Sequence, residues 1–340
     1  MNIAVIGGGG WGTALAALLT KNGHTVRLWV YEADLAERMG RERRNDVFLP
    51  GVPIPEAVAI TADLAEAAAD SSAILFATPS HALRATASRL AAEKTALAAR
   101  LVVIATKGLE KDTHRRMSEV VQETLAAPLG TDPVVLAGPS HAEEVARGIP
   151  TAVVAACRDH GRAAAVQEAF SSETFRVYTN DDVLGVEIAV ALKNVVAIAA
   201  GISDGLGFGD STKGALLTRG LAEMARLGEA LGARPETFSG LAGMGDLIAT
   251  ATSRHSRNRR LGEAVGRGAT LAEALAASPM VAEGVGTAQA AVDLAARLGI
   301  ELPIAEQVRA ILYEGKSARS AMRELLTRDL KPEARTVSRR

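Results

Sequence analysis

The chain has 340 residues, of which 48% are hydrophobic and 23% charged, with a formal net charge of -1. That balance excludes a global field for gathering nucleic acid or an anionic membrane, and leaves small ligands as the expected partners. The length favours two domains with a shared cleft, and Cys157, the only cysteine, excludes an internal disulfide and points to a reducing compartment.

The first residues, "MNIAVIGGGG", carry neither a basic leader nor a cleavable apolar segment, so the protein reads as cytoplasmic. The apolar run "IAVI" is a predicted strand, and "GGGGWGTALAALL" (residues 7–19) follows it directly. Four consecutive glycines begin a helix poorly unless something must approach the backbone closely. Gly7, Gly9 and Gly12 fit GxGxxG between a strand and an alanine-rich helix that runs to about Asn22. Bare amides and a helix N-terminus there suit a dinucleotide pyrophosphate, the alternative being a flexible turn. A second strand, "TVRLWV", leads to Tyr31 and Glu32 at about the spacing where an acidic side chain meets a ribose.

The runs "AVAIT", "AILFAT", "LVVIATKG", "VVLAGPS", "TAVVAA" and "FRVY" continue the strand signals, alternating with alanine-rich amphipathic stretches. This alternation predicts an α/β domain over residues 1–182, a Rossmann-type, mostly parallel sheet with helices on both faces. The tripeptides Thr78–Ser80, Thr106–Gly108 and Gly138–Ser140 each follow a strand, where an open parallel sheet forms its ligand crevice. Any one of them alone reads equally well as an ordinary turn.

After Asp182 the strand signals stop. Helices are predicted at 213–231, 257–267, 284–298 and 302–313, giving an all-α domain over 183–330 and a polar, frayed tail over 331–340. The stretch "VLGVEIAVALKNVVAIAA" (183–200) has membrane-span length but contains Glu187, Lys193 and Asn194. A central Lys costs roughly 2.5–3.5 kcal/mol on insertion. A buried core helix is therefore expected, with no stable membrane insertion.

A Lys within an apolar helix is paired, functional, or a stem lying on the surface with its head in water. Burial would lower the pKa of Lys193 toward neutrality and suit it to general acid/base chemistry. In "GLAGMGDLIATATSRHSRNRR" (240–260), glycines allow a tight loop that places Asp246 near a cation, and Ser256 can cap the helix that follows. Arg257 and Asn258 would then stand at the positive end of that helix, where phosphate is favoured. The alternatives are a solvated basic face or an RNA patch, the latter without interleaved aromatics. The six histidines and the single cysteine show no metal-ligand spacing. Hydride from a nicotinamide, a proton from Lys193 and a phosphate handle together imply reduction of a small phosphorylated ketone or oxidation of its alcohol.

The segments "GGGGWGTALA", "FLPGVPIP", "TPS", "TKG", "GPSHAEEVA", "ALKNVVAIAAGISDGLG", "GMGDLIATATS" and "SRNRRLGE" occur in an order that resembles the bacterial NAD(P)-dependent sn-glycerol-3-phosphate dehydrogenases, from Asn2 to about Leu326. The resemblance implies interconversion of glycerol 3-phosphate and dihydroxyacetone phosphate, supplying the glycerol backbone of phospholipids. It implies that Lys193 accepts the proton in the oxidation direction. It assigns substrate contacts to Lys107, Gly138, Ser140, Asp246, Ser256, Arg257 and Asn258. Cofactor contacts would be Trp11, Lys107, Ala142, Arg257, Val281 and Glu283, and the protein would be a cytoplasmic homodimer.

One departure bears on the cofactor. Many members carry an Arg suited to a 2′-phosphate after the second strand, whereas this chain reads "WVYEAD". Glu32 can accept from a ribose 2′-hydroxyl and would repel a 2′-phosphate, so NAD is expected over NADP unless Arg38 or the "RERR" run (41–44) folds back. Lys107 stays an alternative proton donor. A dehydrogenase for a related hydroxy acid and a non-catalytic NAD-sensing protein are the competing functions.

Overall fold

A computed structural model describes residues 1–93, 99–129, 132–277, 281–330 and 332–333. Apart from residues 332–333, the expected tail lies outside the described residues. The strands are β1 (Asn2–Ile6), β2 (Thr25–Trp29), β3 (Arg44–Asn45), β4 (Leu49–Pro53), β5 (Val58–Thr61), β6 (Ala73–Phe76), β7 (Leu101–Ile104), β8 (Val134–Ala137), β9 (Thr151–Ala156) and β10 (Phe175–Asn180).

Eight of them form one sheet in the order β10-β9-β8-β7-β6-β1-β2-β5, and they coincide with the eight apolar runs of the sequence. Every pairing is parallel except β8 with β9. The unbroken apolar runs of the central strands β1, β6, β7 and β8 are explained by burial on both faces, whereas the edge strand β10 alternates buried and exposed residues. Ile3 and Val5 of β1 pack into one core layer while Ala4 and Ile6 pack into the other. The order reverses at β1, which pairs with β2 on one side and β6 on the other, opening a crevice at the carboxyl ends of these strands. The small hairpin β3–β4 was not anticipated, since a two-residue strand and the Pro-Gly-Val-Pro segment read as turn.

Helices occupy the chain from Val183 onward. Asp210–Leu231, Arg257–Gly266, Glu283–Leu298 and Pro303–Tyr313 match the four expected helices within three residues at each end. The apolar stretch forms the helix Val183–Gly205, begun by Asp182, whose carboxylate accepts from the Gly185 amide at 2.9 Å. It is the one helix among the described residues long and apolar enough to span a bilayer, and 89% of its apolar window is buried in the protein. It is a core helix.

Two features dock this helix. Glu187, 4% exposed, accepts from Arg116 Nη1 at 2.7 Å and from the Ser118 amide and hydroxyl at 2.8 and 2.6 Å, tying it to the sheet domain. Glycines bring Arg257–Gly266 against it at backbone distance. A Cβ on Gly201 would lie 2.0 Å from the Arg259 carbonyl oxygen, and one on Gly262 would lie 2.1 Å from that of Ile198. This close approach sets Lys193 and Asn194 beside the start of the helix that carries Arg257 and Asn258.

Candidate active site

The glycine turn answers the question its sequence raises. Gly7 has φ +126, and a Cβ there would meet the Ala77 backbone at 2.8 Å. A Cβ on Gly8 would strike Val30 at 2.6 Å, and on Gly10 the Phe48 carbonyl oxygen at 2.5 Å. The hairpin β3–β4 supplies that last contact, held by Asn45, whose amide donates to the Gly8 carbonyl at 2.8 Å. Gly9 alone has nothing within 4 Å of its Cβ position, so it is the point where the turn faces open space.

That space is a cavity of about 740 Å³ along the carboxyl ends of β1, β2, β6 and β7. Gly7, Gly9, Trp11, Tyr31, Glu32 and Ala142 line it from the sheet domain, together with Lys107 and Ser140. Lys193, Asp246, Ser256, Arg257 and Asn258 line it from the helical domain, with Val281 and Glu283 beside them. Gly12 and Gly138, expected as contacts, do not line it. Gly12 is turned to the packed side of its helix, where a Cβ would lie 1.9 Å from the Gly7 carbonyl oxygen. Gly138 acts through its carbonyl, which accepts from Lys107 Nζ and from Ser140 Oγ, both at 3.0 Å.

None of Arg38, Arg41, Arg43 and Arg44 lines the cavity. Arg43 instead donates to the Val58 carbonyl at 2.9 Å, and Arg41 pairs with Glu42 at 2.8 Å. The cation that does reach the Glu32 end is Arg89, which sequence reasoning missed, with its guanidinium 5.8 Å from the Trp29 ring. Glu32 precedes the helix Ala33–Glu42 and makes no capping bond, so its carboxylate is uncommitted to the helix. The wall fits a dinucleotide in a further respect: Trp11 Nε1 and Thr78 Oγ1 are buried without a hydrogen-bond partner among the described residues. Buried polar groups are rarely left so, and a bound ligand would satisfy them.

At the other end, one carboxylate bridges two ammoniums. Lys193 Nζ donates to Asp246 Oδ1 and to Thr250 Oγ1, both at 2.6 Å. Lys107 Nζ donates to Asp246 Oδ2 at 2.8 Å. Lys193 is 5% exposed and Asp246 2%, so the Lys193 head is not in water. Burial, with the repulsion of Lys107, lowers the Lys193 pKa to about 7 against the pull of Asp246. Burial works against the Asp246 charge, yet the two ammoniums hold its pKa below the usual carboxylate range. An ammonium has three donors. Two of those of Lys193 are committed, and the third is available to a ligand.

Thr250 was not singled out in the sequence, although it stands four residues after Asp246 on the helix Asp246–Thr252 and so shares its face. His141 and His255 also line the cavity, their rings 6.1 Å apart. Burial lowers the His141 pKa, and the two lysine ammoniums add to the effect. Ser256 caps Arg257–Gly266 by accepting from the Arg259 amide at 3.2 Å. Arg257 extends at the cavity mouth and is in no salt bridge among the described residues. Asn258 is buried: it donates to Asn194 Oδ1 at 2.9 Å and accepts from the Gly284 amide at 2.9 Å.

A dinucleotide crevice on a doubly wound sheet, facing a titratable ammonium and a free guanidinium from a second, helical domain, defines the class as a two-domain nicotinamide-dependent oxidoreductase. Comparison with known proteins narrows this. Residues 2–163 match the family model described as NAD-dependent glycerol-3-phosphate dehydrogenase N-terminus, and residues 182–323 match the model of its C-terminus. The chain belongs to this family. It is 53% identical over 333 residues to a protein of Citrifermentans bemidjiense named glycerol-3-phosphate dehydrogenase, NAD(P)+, covering 97% of this chain and 98% of that one. A Geobacter sulfurreducens protein of the same name is 52% identical over 97% of this chain and 98% of its own. The crystal structure of glycerol-3-phosphate dehydrogenase from Coxiella burnetii superposes with a TM-score of 0.89 at 41% identity, covering 96% of this chain and 99% of the other.

Proposed function

We propose that Lys193 is the proton-transfer residue of an NAD(P)-dependent oxidoreductase that interconverts sn-glycerol 3-phosphate and dihydroxyacetone phosphate. The observation that carries this is a buried ammonium, its pKa lowered to about 7, aimed into the cavity that the glycine turn opens. A bound nicotinamide supplies or accepts the hydride; the proton at the same carbon's oxygen is the protein's task. A neutral Lys193 takes the hydroxyl proton of the alcohol, and the charged form returns it to the developing alkoxide of the reduced ketone. Asp246 and Thr250 hold Nζ in place. Lys107, on the other oxygen of Asp246 and on the Gly138 carbonyl, is placed to orient the substrate.

Arg257 and the exposed amides of its helix suit the substrate phosphate, with Ser256 and Asn258 shaping the site. Gly7, Gly9, Trp11, Ala142, Val281 and Glu283 would hold the dinucleotide. Glu32 favours NAD over NADP at the ribose, and Arg89 on the facing helix is the available counter-charge for a 2′-phosphate. We take residues 1–182 as the dinucleotide-binding domain and 183–330 as the substrate domain, and read the protein as a cytoplasmic homodimer; sedimentation of the purified chain measures the last point.

The direct test is NADH oxidation on adding dihydroxyacetone phosphate, repeated with NADPH and with dihydroxyacetone. Rapid turnover of the phosphate ester and none of the free ketone is expected. Equal turnover of the two would remove the phosphate handle from the reading, and binding of NADH without any turnover would favour a sensor.

A further inference from the structure

Glu283 stands in the first turn of the helix Glu283–Leu298, yet its carboxylate reaches across the cleft into the sheet domain. The Ser80 amide donates to Glu283 Oε1 at 3.0 Å, and the Ser80 hydroxyl donates to Oε2. Ser80, 8% exposed, opens the 13-residue helix Ser80–Ala92 directly after the Thr78–Pro79 turn on the cavity wall. A carboxylate at that place is favoured by the helix dipole and by two charge-assisted bonds.

The position of this contact along the cavity is fixed by its neighbours. Gly284, the next residue, donates to Asn258, and Asn258 donates to Asn194, which adjoins Lys193. Glu283 therefore belongs to the end where the proton is exchanged, away from Glu32 at the end of β2. A dinucleotide reaching that end brings its nicotinamide, whose carboxamide carries two N–H donors and needs an acceptor. Of the other carboxylates near this end of the cavity, Asp246 is committed to two ammoniums, and Glu143, from the sheet domain, stands 3.9 Å from His255. Glu283 is the acceptor that remains. A carboxylate has about four lone-pair directions, and Ser80 occupies two of them.

We propose that Ser80 is a positioning residue: by gripping Glu283 with its amide and hydroxyl, it aims the free lone pairs of that carboxylate at the nicotinamide carboxamide and so sets the ring against Lys193. The proposal rests on the reading of the cavity as the dinucleotide site. Ser80 itself touches the carboxylate, not the ring. Its loss should therefore be felt only by a ligand that possesses the carboxamide.

The test is the affinity of the Ser80→Ala protein for NADH and for ADP-ribose, which lacks the nicotinamide, measured by calorimetry against wild type. NADH should bind about tenfold more weakly, the scale of one charge-assisted hydrogen bond, while ADP-ribose binding stays within about twofold. Glu283→Gln, which keeps the shape and one acceptor oxygen, should show the same selectivity, and it supplies the comparison if Ser80→Ala does not fold. Equal weakening of both ligands would mean that the serine merely braces the loop, and no weakening of either would mean that it does nothing for the ring; both overturn the proposal. Wild type that binds neither ligand overturns the reading of the cavity itself.

Discussion

The two walls of the cavity recognise by opposite means. The sheet side presents backbone: four glycines packed so tightly that three admit no side chain, and a fourth, Gly9, left open toward the ligand. The helical side presents charged side chains taken out of water, Lys193 on Asp246, and Lys107 reaches the same carboxylate from the sheet domain. The glycine turn itself fails by steric exclusion and carries no titrating group. A buried charge cluster fails by losing a proton or a partner, and its function is tied to pH.

The largest expected effect lies on the charged wall. Lys193→Ala should lower kcat by roughly 10²- to 10⁴-fold, the usual worth of a positioned acid/base, with ADP-ribose affinity unchanged. Asp246 would keep Lys107 and Thr250 as partners, so the fold should survive. In the wild type, oxidation of glycerol 3-phosphate needs the neutral amine and should rise with pH through about 7, whereas reduction needs the ammonium and should fall over the same range. The Ala variant should lack this step in both directions. A wild-type profile without an inflection near neutrality would assign the proton to another group.

Asp246→Asn removes the carboxylate that the buried Lys193 and the partly buried Lys107 share. Removing one partner of a buried pair costs about 3–5 kcal/mol, measurable by denaturant unfolding near neutral pH. Because Asp246 raises the Lys193 pKa, its loss should also move the oxidation profile to lower pH. A shift to higher pH would contradict the geometry.

The backbone wall is separated from the charged one by a pair of glycine variants. Gly12→Ala places a Cβ 1.9 Å from the Gly7 carbonyl oxygen and should destabilise the protein by about 1–3 kcal/mol or more, as overpacking does. Gly9→Ala meets nothing within 4 Å at an ordinary φ of -69, so its melting temperature should match wild type. Its NADH affinity should still fall by about tenfold, or roughly 1.4 kcal/mol, if the pyrophosphate approaches there. Equal stability loss in both variants would dissolve the distinction between packing and ligand-facing glycines.

The smallest effect is at the ribose. Glu32→Ser should narrow the preference for NADH over NADPH by up to about tenfold, the scale of one partly exposed charge contact. Equal kcat/KM for both cofactors in the wild type would show that Arg89 already balances Glu32.

Much of this was legible from local pattern, and the misses share a cause. Eight runs became eight sheet strands: the central ones are buried on both faces and so written as continuous apolar segments, and the edge strand β10 shows the alternation of a half-exposed one. The glycine spacing and the capping Ser256 are equally local signals. The hairpin β3–β4 escaped because one strand has only two residues and the other contains two prolines, and Thr250 because a single hydroxyl four residues from Asp246 has no signature until that face is known to be buried. Arg89 carried no signal, being placed beside Trp29 only by the packing of its helix on the sheet.

By itself, the sequence determined the elements, their order and the residue types available for chemistry, because hydrophobic period, turn chemistry and caps act within a few residues. Only the tertiary structure decided which charges meet. Lys193 and Asp246 are 53 residues apart, Lys107 and Asp246 139, and Ser80 and Glu283 203. Glycine-sized backbone contacts between helices of the helical domain, and the buried Glu187 that ties that domain to the sheet, select those pairs. Within the sheet domain, Arg43 is held by the Val58 carbonyl and Arg41 by Glu42, and neither they nor Arg38 and Arg44 line the cavity. Removal from water is what turns an ordinary lysine into one that exchanges a proton near neutrality, and burial is a property of the assembled fold.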